Sequence, residues 1–328
     1  MSFWQKVLLR STALLKAALA LALFIGVTYI AAGIFGYLRI DRNIYRGTFN
    51  FFSCLFVFIA MFVLNRINRI KKAPLIKTGK IGPDQAVALV IIALGMLGMV
   101  AAYLSITELI AANRAPLNEA IEEYRESVDR FSDVPQVVIP VWDSVLYVFT
   151  LCFIVPVTEE MTFRGAVFGY IREGFGPWTT VILSAVGFGI MHGLTIHIGY
   201  ALACGLIIAA CYHITDSIIA PVLLHMIFNI FGSGIPTLMS VEEFGIPPLI
   251  KSTFMRGVNT TAMLFMPVSV LAFAYLVNVR RKKAKEAAAQ AEMMITAEGT
   301  ADGTFAEETD SDESISGDNG AGENGDTL

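Results

Sequence analysis

The chain has 328 residues, of which 55% are hydrophobic and 16% charged, and its formal net charge is −4. A mean hydropathy of +0.63 and several apolar runs of roughly 20 residues, the length that crosses a bilayer, exclude an ordinary soluble domain. This charge implies no nucleic-acid partner.

Apolar runs along the chain predict eight transmembrane helices. Only a few polar residues separate the three runs between 178 and 235, so seven spans remain an alternative. The predicted fold class is therefore all-α, a polytopic membrane helix bundle. The predicted spans are 17–37, 48–65, 84–112, 141–163, 178–198, 199–215, 218–235 and 260–279.

The distribution of Lys and Arg predicts the orientation of these spans. Positively charged loops are retained in the cytoplasm. With the N-terminus inside, 16 of the 24 basic residues fall on the cytoplasmic side. We therefore expect a multi-pass protein of the cell membrane with both termini in the cytoplasm. The first span lacks a small-residue cleavage site, which indicates a retained helix rather than a signal peptide.

Composition divides the chain into five predicted regions. The last of them contains 12 of the 28 acidic residues and one of the 24 basic residues, and a segment of this kind cannot bury a core and should be disordered. The regions are N-terminal transmembrane helices (1–112), an extracytoplasmic loop with amphipathic spacing (113–140), a membrane core (141–235), a loop with the last transmembrane helix (236–283) and a disordered acidic cytoplasmic tail (284–328).

Ionisable side chains inside the spans mark candidate functional sites, because they are costly in a bilayer. In the stretch VTEEMTFRG, which begins at Val157, Glu160 and Arg164 are four residues apart. This spacing puts them on one helix face and predicts a structural ion pair. Glu159 lies about 140° around the helix from Arg164. The pair therefore leaves Glu159 without a partner.

Two further stretches supply polar side chains at helical spacing. FGIMH places Phe188 and His192 on one face, and HMIFN places His225 and Asn229 on another. A carboxylate, two imidazoles and an amide from three helices could activate a water and stabilise an oxyanion, as amide hydrolysis requires. Each residue also has a structural interpretation as a helix cap or a helix–helix contact. That interpretation would require four polar side chains to lie inside the membrane helices independently of one another, each at an energetic cost.

The other polar residues of the spans have structural interpretations. His197 falls at the outer edge of a span, and His213 and Asp216 form an i, i+3 pair at an inner edge. Asp143 follows Trp142, and tryptophan prefers the membrane interface, so we expect Asp143 to be interfacial.

Residue counting gives an expected depth for each candidate. A rise of ~1.5 Å per residue from the cytoplasmic ends places His225 ~10 Å deep and His192 ~20 Å deep. The expected depth of Glu159 depends on whether its helix continues past Arg164. For these residues to meet, the helices would have to be tilted, or the chain broken between Gly174 and Pro177, by enough to remove the difference between their expected depths.

Three motifs in order carry a family resemblance. EEMTFR fits EExxxR, FGIMH fits FxxxH and HMIFN fits HxxxN, and together they resemble the CPBP (CAAX protease and bacteriocin-processing, or Abi) family of intramembrane endopeptidases, which includes the type II CAAX prenyl proteases. The resemblance covers roughly residues 140–235. It implies that Glu159 and His192 act on a water while His225 and Asn229 stabilise the oxyanion.

The resemblance implies a glutamate-dependent endopeptidase that cuts a peptide bond in a membrane-associated peptide or protein. CAAX-type processing of a lipidated substrate and bacteriocin-related processing are two options, and the bilayer is the other expected partner. A non-catalytic immunity or scaffold protein of the same family is the alternative. A proton-coupled transporter is a weaker one, because the sequence contains no evident inverted repeat.

The family's label of metalloprotease raises the question of zinc. Glu159, His192 and His225 would supply enough ligands. However, the sequence contains no HExxH motif, and Glu159 as a ligand would no longer serve as the general base. We therefore expect no cofactor, with zinc as the alternative.

Overall fold

A computed structural model describes residues 1–112, 114–129, 139–193 and 195–307. These residues form nine helices, one short 3-10 turn and one isolated antiparallel bridge between Thr78 and Ser217. The helices are α1 (Phe3–Tyr37), α2 (Arg46–Ile70), α3 (Pro83–Ala111), α4 (Ala115–Asp129), α5 (Val141–Gly174), α6 (Pro177–Ile190), α7 (Thr195–Thr215), α8 (Ile219–Leu238) and α9 (Pro248–Glu307).

Seven of these helices are long and apolar enough to cross a membrane. The exceptions are α4, which lies in the predicted loop 113–140, and α6, which is apolar but has 14 residues. A helix of this length extends about 21 Å, less than the ~30 Å thickness of a hydrocarbon core. The predicted all-α polytopic membrane bundle is confirmed, and the eight predicted spans correspond to the seven long helices and α6.

Three π-helical turns interrupt α5 and α8. The turn Thr150–Ile154 ends two residues before Pro156, and the turn Ile230–Gly234 ends two residues before Pro236. Proline has no backbone N–H, so it removes a hydrogen bond from the helix and disturbs the preceding turn. The third turn, Met161–Val167, follows the glutamate pair. Such turns occur frequently at functional sites.

Two clusters of buried apolar side chains hold the bundle together. One joins α3, α7, α8 and α9, and the other joins α1, α2 and α5. The fully buried members include Leu89, Cys211, Leu224 and Leu276 in the first cluster, and Met61 and Ala166 in the second.

The connection between α2 and α3, residues 71–82, penetrates the bundle beside α5. Leu75 is 2% exposed. A Cβ added at Gly169 would lie 2.8 Å from Leu75 Cβ, and one added at Gly165 would lie 3.1 Å from Ile76 Cγ1. Glycine at both positions therefore allows this re-entrant segment to approach α5. The sequence predicts only a basic cytoplasmic loop here.

The last helix extends into the region predicted as the acidic tail. α9 continues to Glu307, through the first half of the region 284–328. The stretch KAKEAAAQAE is rich in strong helix formers, which explains a helix without packing. The side chains of residues 284–294 are all exposed. Residues 308–328 lie outside the described residues.

Candidate active site

Glu160 and Arg164 form an ion pair inside the bundle. Arg164 Nη1 lies 3.0 Å from Glu160 Oε1, and both side chains are 0% exposed. Arg164 Nη2 also donates to the Gly205 carbonyl at 3.2 Å. The i, i+4 spacing thus gives the contact that the sequence predicts, and a carbonyl of α7 takes another guanidinium donor.

His225 lies between the two glutamates. Its Nδ1 is 2.8 Å from Glu160 Oε1, and its Nε2 is 3.9 Å from Glu159 Oε2. Glu159 is the more accessible glutamate, with 22% of its side chain exposed. Among the described residues, His225 rather than His192 is the histidine within ion-pair distance of Glu159. The carboxylate that the sequence leaves unpaired therefore has an imidazole neighbour.

His192 lies just beyond the last turn of α6, where its ring contacts the helix that precedes it. Its Nδ1 is 2.8 Å from the Phe188 carbonyl oxygen. A carbonyl only accepts, so Nδ1 carries the proton and Nε2 of the neutral ring is left as an acceptor. The ring also contacts the rings of Phe188 and His197, each with a centroid separation of 4.5 Å.

The amide of Asn229 links α8 to the first π-helical turn of α5. Its Nδ2 donates to the Leu151 carbonyl at 2.9 Å. In this turn the N–H of Val155 donates to the carbonyl five residues earlier, Thr150 O. The same pattern would pair the next residue, Pro156, with Leu151 O, but proline has no N–H to donate. The side chain of Asn229 supplies the donor instead.

Phe188 is the common neighbour of the charged and imidazole side chains. Its ring centroid lies 4.6 Å from the guanidinium carbon of Arg164, 4.5 Å from the His192 ring and 5.9 Å from the His225 ring. Phe188 is 3% exposed. The sequence identifies Phe188 only as the helical partner of His192, because contacts between helices leave no periodic signal.

Helix rise places Glu159 and His192 at the same depth. Because α5 continues past Arg164 to Gly174, Glu159 lies about 22 Å along the helix from its C-terminal end. His192 lies about 22 Å from Pro177, where α6 begins. Counted along the two helices, both residues are therefore equally far from the turn that joins α5 to α6.

The re-entrant segment 71–82 accounts for the smaller depth expected of His225. Ile76 lies beside Gly165, about 13 Å along α5 from its C-terminal end. Thr78 pairs with Ser217 just before α8, so α8 begins deeper in the bundle than α5 ends. Adding ~10 Å of helix from there brings His225 to the level of the glutamates.

The candidate zinc ligands are not grouped around one point in the described residues. Zinc in a catalytic site takes about three protein ligands and a water. In the part of the chain that the structure describes, no group of three or more His, Cys, Asp or Glu side chains is arranged to hold a metal ion. The Nδ1 atoms of His192 and His225 contact Phe188 O and Glu160, so Nε2 is the nitrogen of each ring that a metal could bind.

Asp143 and His197 both lie in the first turn of a membrane helix and make contacts that the sequence does not indicate. Asp143 is 0% exposed and accepts hydrogen bonds from Gly47 N at 2.7 Å and Thr48 N at 2.8 Å. It thus caps α2 from another helix. His197, interpreted as an edge residue, contacts His192.

His213 and Asp216 keep structural contacts at the other end of α7. The His213 ring packs against Trp178 with a centroid separation of 5.6 Å. Asp216 forms an ion pair with Lys77 of the re-entrant segment. Neither contact involves a candidate catalytic residue.

The comparisons with known proteins concern the same part of the chain. The family model described as type II CAAX prenyl endopeptidase Rce1-like matches residues 141–231. A Bacillus subtilis (strain 168) protein named "Putative membrane peptidase YdiL" is 30% identical over 113 residues, which are 34% of this chain and 46% of that protein. The chain thus spans about half the length of this relative. No solved structure matches the chain.

The matched range begins with α5 and ends within α8. It contains Glu159, Glu160, Arg164, His192 and Asn229, and His225 lies within it as well. The family resemblance that the three motifs predict is therefore confirmed: over residues 141–231 this multi-pass membrane chain is similar to the type II CAAX prenyl endopeptidases.

Proposed function

We propose that the chain is an intramembrane endopeptidase that hydrolyses a peptide bond in a membrane-associated peptide or protein, with Glu159 as the general base. The surroundings of Glu159 carry the proposal. Its neighbour Glu160 is fully buried in an ion pair, whereas Glu159 is 22% exposed and lies beside His225. A reachable carboxylate at this depth suits a base better than it suits a structural contact.

Glu159 and His192 together orient the attacking water. A water has two O–H groups, and the Glu159 carboxylate and the unprotonated Nε2 of His192 are two acceptors at the same depth. Glu159 takes one proton as the water oxygen bonds to the carbonyl carbon of the substrate. Because the orientation of His192 depends on the Phe188 carbonyl, Phe188 positions this acceptor.

Asn229 and His225 stabilise the negative charge that develops on the carbonyl oxygen. An amide nitrogen has two N–H groups. One of those on Asn229 donates to Leu151 O, and the second is left for the oxyanion. A His225 ring that carries both protons donates from Nδ1 to Glu160 and from Nε2 to the oxyanion. Each such donor contributes about 10²–10³-fold to the rate.

The C–N bond then breaks, and the proton taken by Glu159 passes to the departing amine nitrogen. No metal takes part in this scheme. Both termini lie in the cytoplasm in this proposal. A prenylated C-terminal peptide is one substrate option and a bacteriocin-like leader is another, and the same residues serve both.

The test compares the terminal peptides of membrane proteins in cells that produce the native chain, Glu159→Gln or Glu173→Gln. Glu173 is a matched control, because it lies on the same helix and pairs with Lys16 at 2.6 Å outside the site. We expect a set of termini that is lost with Glu159→Gln and kept with Glu173→Gln. Identical termini in all three strains would refute hydrolysis and favour the non-catalytic scaffold protein.

A further inference from the structure

The contact between His192 and His197 has no role in the proposed mechanism so far. The two ring centroids are 4.5 Å apart and the ring planes meet at 67°, an edge-to-face arrangement. Gly193 adopts a φ of 76° just after α6, which reverses the chain between the two helices. His197 lies in the first turn of α7, and the reversal brings its ring onto His192.

The other contacts of His192 do not fix its ring completely. The hydrogen bond from Nδ1 to Phe188 O holds one edge, and the Phe188 ring packs on the imidazole at 4.5 Å. Both contacts come from the same residue, so one movement of the turn would loosen both. His197 provides a contact from a different helix.

We propose that His197 is a positioning residue for His192, whose ring it holds with Nε2 directed at the water between His192 and Glu159. This inference rests on the proposed function, because it assigns His197 a part in the same site. His197 lies outside the three motifs.

His197 is itself held by a group of tyrosines. Its ring stacks on Tyr200 with a centroid separation of 4.8 Å and an angle of 26° between the planes. Tyr124 of α4 approaches at 6.4 Å, and its hydroxyl lies 3.5 Å from the Tyr200 hydroxyl. The amphipathic helix α4 thus supports His197 from outside the long membrane helices.

The helix α4 packs against α3 and α7 through an apolar cluster. Ile121 of α4 and Ile196 of α7 are 4% and 2% exposed and share one apolar cluster with Ala111 at the end of α3. Tyr103 Oη donates to the Ile196 carbonyl at 3.3 Å. The first turn of α7, where His197 lies, is therefore anchored to both α3 and α4.

His213 provides a control on the same helix. It also makes an edge-to-face contact, with Trp178, but it lies at the other end of α7. A general loss of α7 packing would follow from replacing either histidine. An effect on His192 would follow only from replacing His197.

The decisive experiment measures the His192 ring directly, by NMR of purified protein in detergent with ring-¹⁵N-labelled histidine. The chain has four histidines, so single substitutions assign every signal. We expect the native His192 to be a single tautomer with the proton on Nδ1. His197→Ala should shift its two ¹⁵N signals toward the average of both tautomers, whereas His197→Phe and His213→Ala should leave them unchanged. An unchanged His192 in His197→Ala would overturn the inference.

The second measurement follows the rate at which the Glu159-dependent termini appear. A displaced catalytic group costs up to about 10²-fold, so we expect His197→Ala to slow their appearance at least tenfold. His197→Phe should restore most of the rate, and His213→Ala should match the native chain. If His197→Ala processes as fast as His213→Ala, His197 is a packing residue only. If Glu159→Gln alters no termini, the proposed function fails, while the NMR result still decides whether His197 positions His192.

Discussion

His225 contacts the same oxygen of Glu160 that Arg164 contacts. The distances to Glu160 Oε1 are 2.8 Å from His225 Nδ1 and 3.0 Å from Arg164 Nη1. The ion pair is therefore not separate from the candidate catalytic residues. A change in the charge of Glu160 would directly alter the hydrogen bond that it makes with His225.

Loss of one charge from this pair should destabilise the protein. In Glu160→Gln, the Arg164 guanidinium would stay buried without a counter-charge, which costs roughly 3–5 kcal/mol when it is fully desolvated. We expect a lower melting temperature in detergent. The Gly205 carbonyl still accepts from Arg164 Nη2, but it carries no full negative charge and does not replace the lost carboxylate.

The control for this prediction removes both charges. Glu160→Gln combined with Arg164→Met leaves no unpaired ion, so the double variant should be less destabilised than the sum of the single variants. A melting temperature of Glu160→Gln equal to that of the native protein would argue against the buried pair.

Asn229→Ala should affect the rate rather than the fold. Removing one oxyanion donor costs about 10²–10³-fold in kcat, whereas the lost hydrogen bond to Leu151 O costs about 1 kcal/mol of stability. Asn68→Ala is the control, since Asn68 Nδ2 donates to Leu64 O at 2.9 Å on α2. Rates of appearance of the Glu159-dependent termini check both. An Asn229→Ala chain as active as Asn68→Ala would remove this residue from the mechanism.

Asp143→Ala should lower stability without a direct effect on chemistry. Asp143 accepts from Gly47 N and Thr48 N at the start of α2, and loss of a helix cap costs up to about 2 kcal/mol. The helix dipole adds to this effect, because it favours a negative charge at that end. Thermal melts check the loss.

Asp41→Ala is the matched control for the cap. Asp41 also accepts a backbone N–H, that of Asn43 at 2.8 Å, but in an exposed turn. Such surface changes usually stay within about 0.5 kcal/mol. Equal melting temperatures for the two variants would show that the buried carboxylate contributes nothing to α2.

Activity should survive removal of metal ions. The proposed water is held by Glu159 and His192, so prolonged exposure of the purified protein to a strong chelator should leave the rate unchanged. Elemental analysis of the same sample should find no stoichiometric zinc. Loss of activity on chelation, with recovery on adding zinc, would make His192 and His225 ligands instead.

The sequence predicts the membrane helices and the Glu160–Arg164 contact because both depend on neighbours along the chain. Hydropathy accumulates over consecutive residues, and an i, i+4 pair needs only one helix. The contact between His225 and Glu160 joins residues 65 positions apart. The motifs bring these residues into one site, but no spacing indicates which glutamate each imidazole nitrogen faces.

Other features depend on packing that leaves no local pattern. The stretch RINRIKKAPLIKTGK predicts a charged loop, and nothing in it shows that Leu75 becomes buried against α5. The hydrogen bonds that Asp143 accepts are not evident from its neighbours in sequence, because its partner helix begins about a hundred positions earlier. The role of His197 depends on the chain reversal at Gly193.

Pro156 has an effect on a helix other than its own. A proline in a membrane helix is usually regarded as a local defect, yet here the missing hydrogen leaves a carbonyl, that of Leu151, open to an amide from α8. The carbonyl that has no donor within α5 thus accepts a hydrogen bond from α8, and this bond orients Asn229 before any substrate arrives. In this protein the backbone of α5 is less regular where the chemistry is proposed, and that irregularity determines which atoms the neighbouring helix can present.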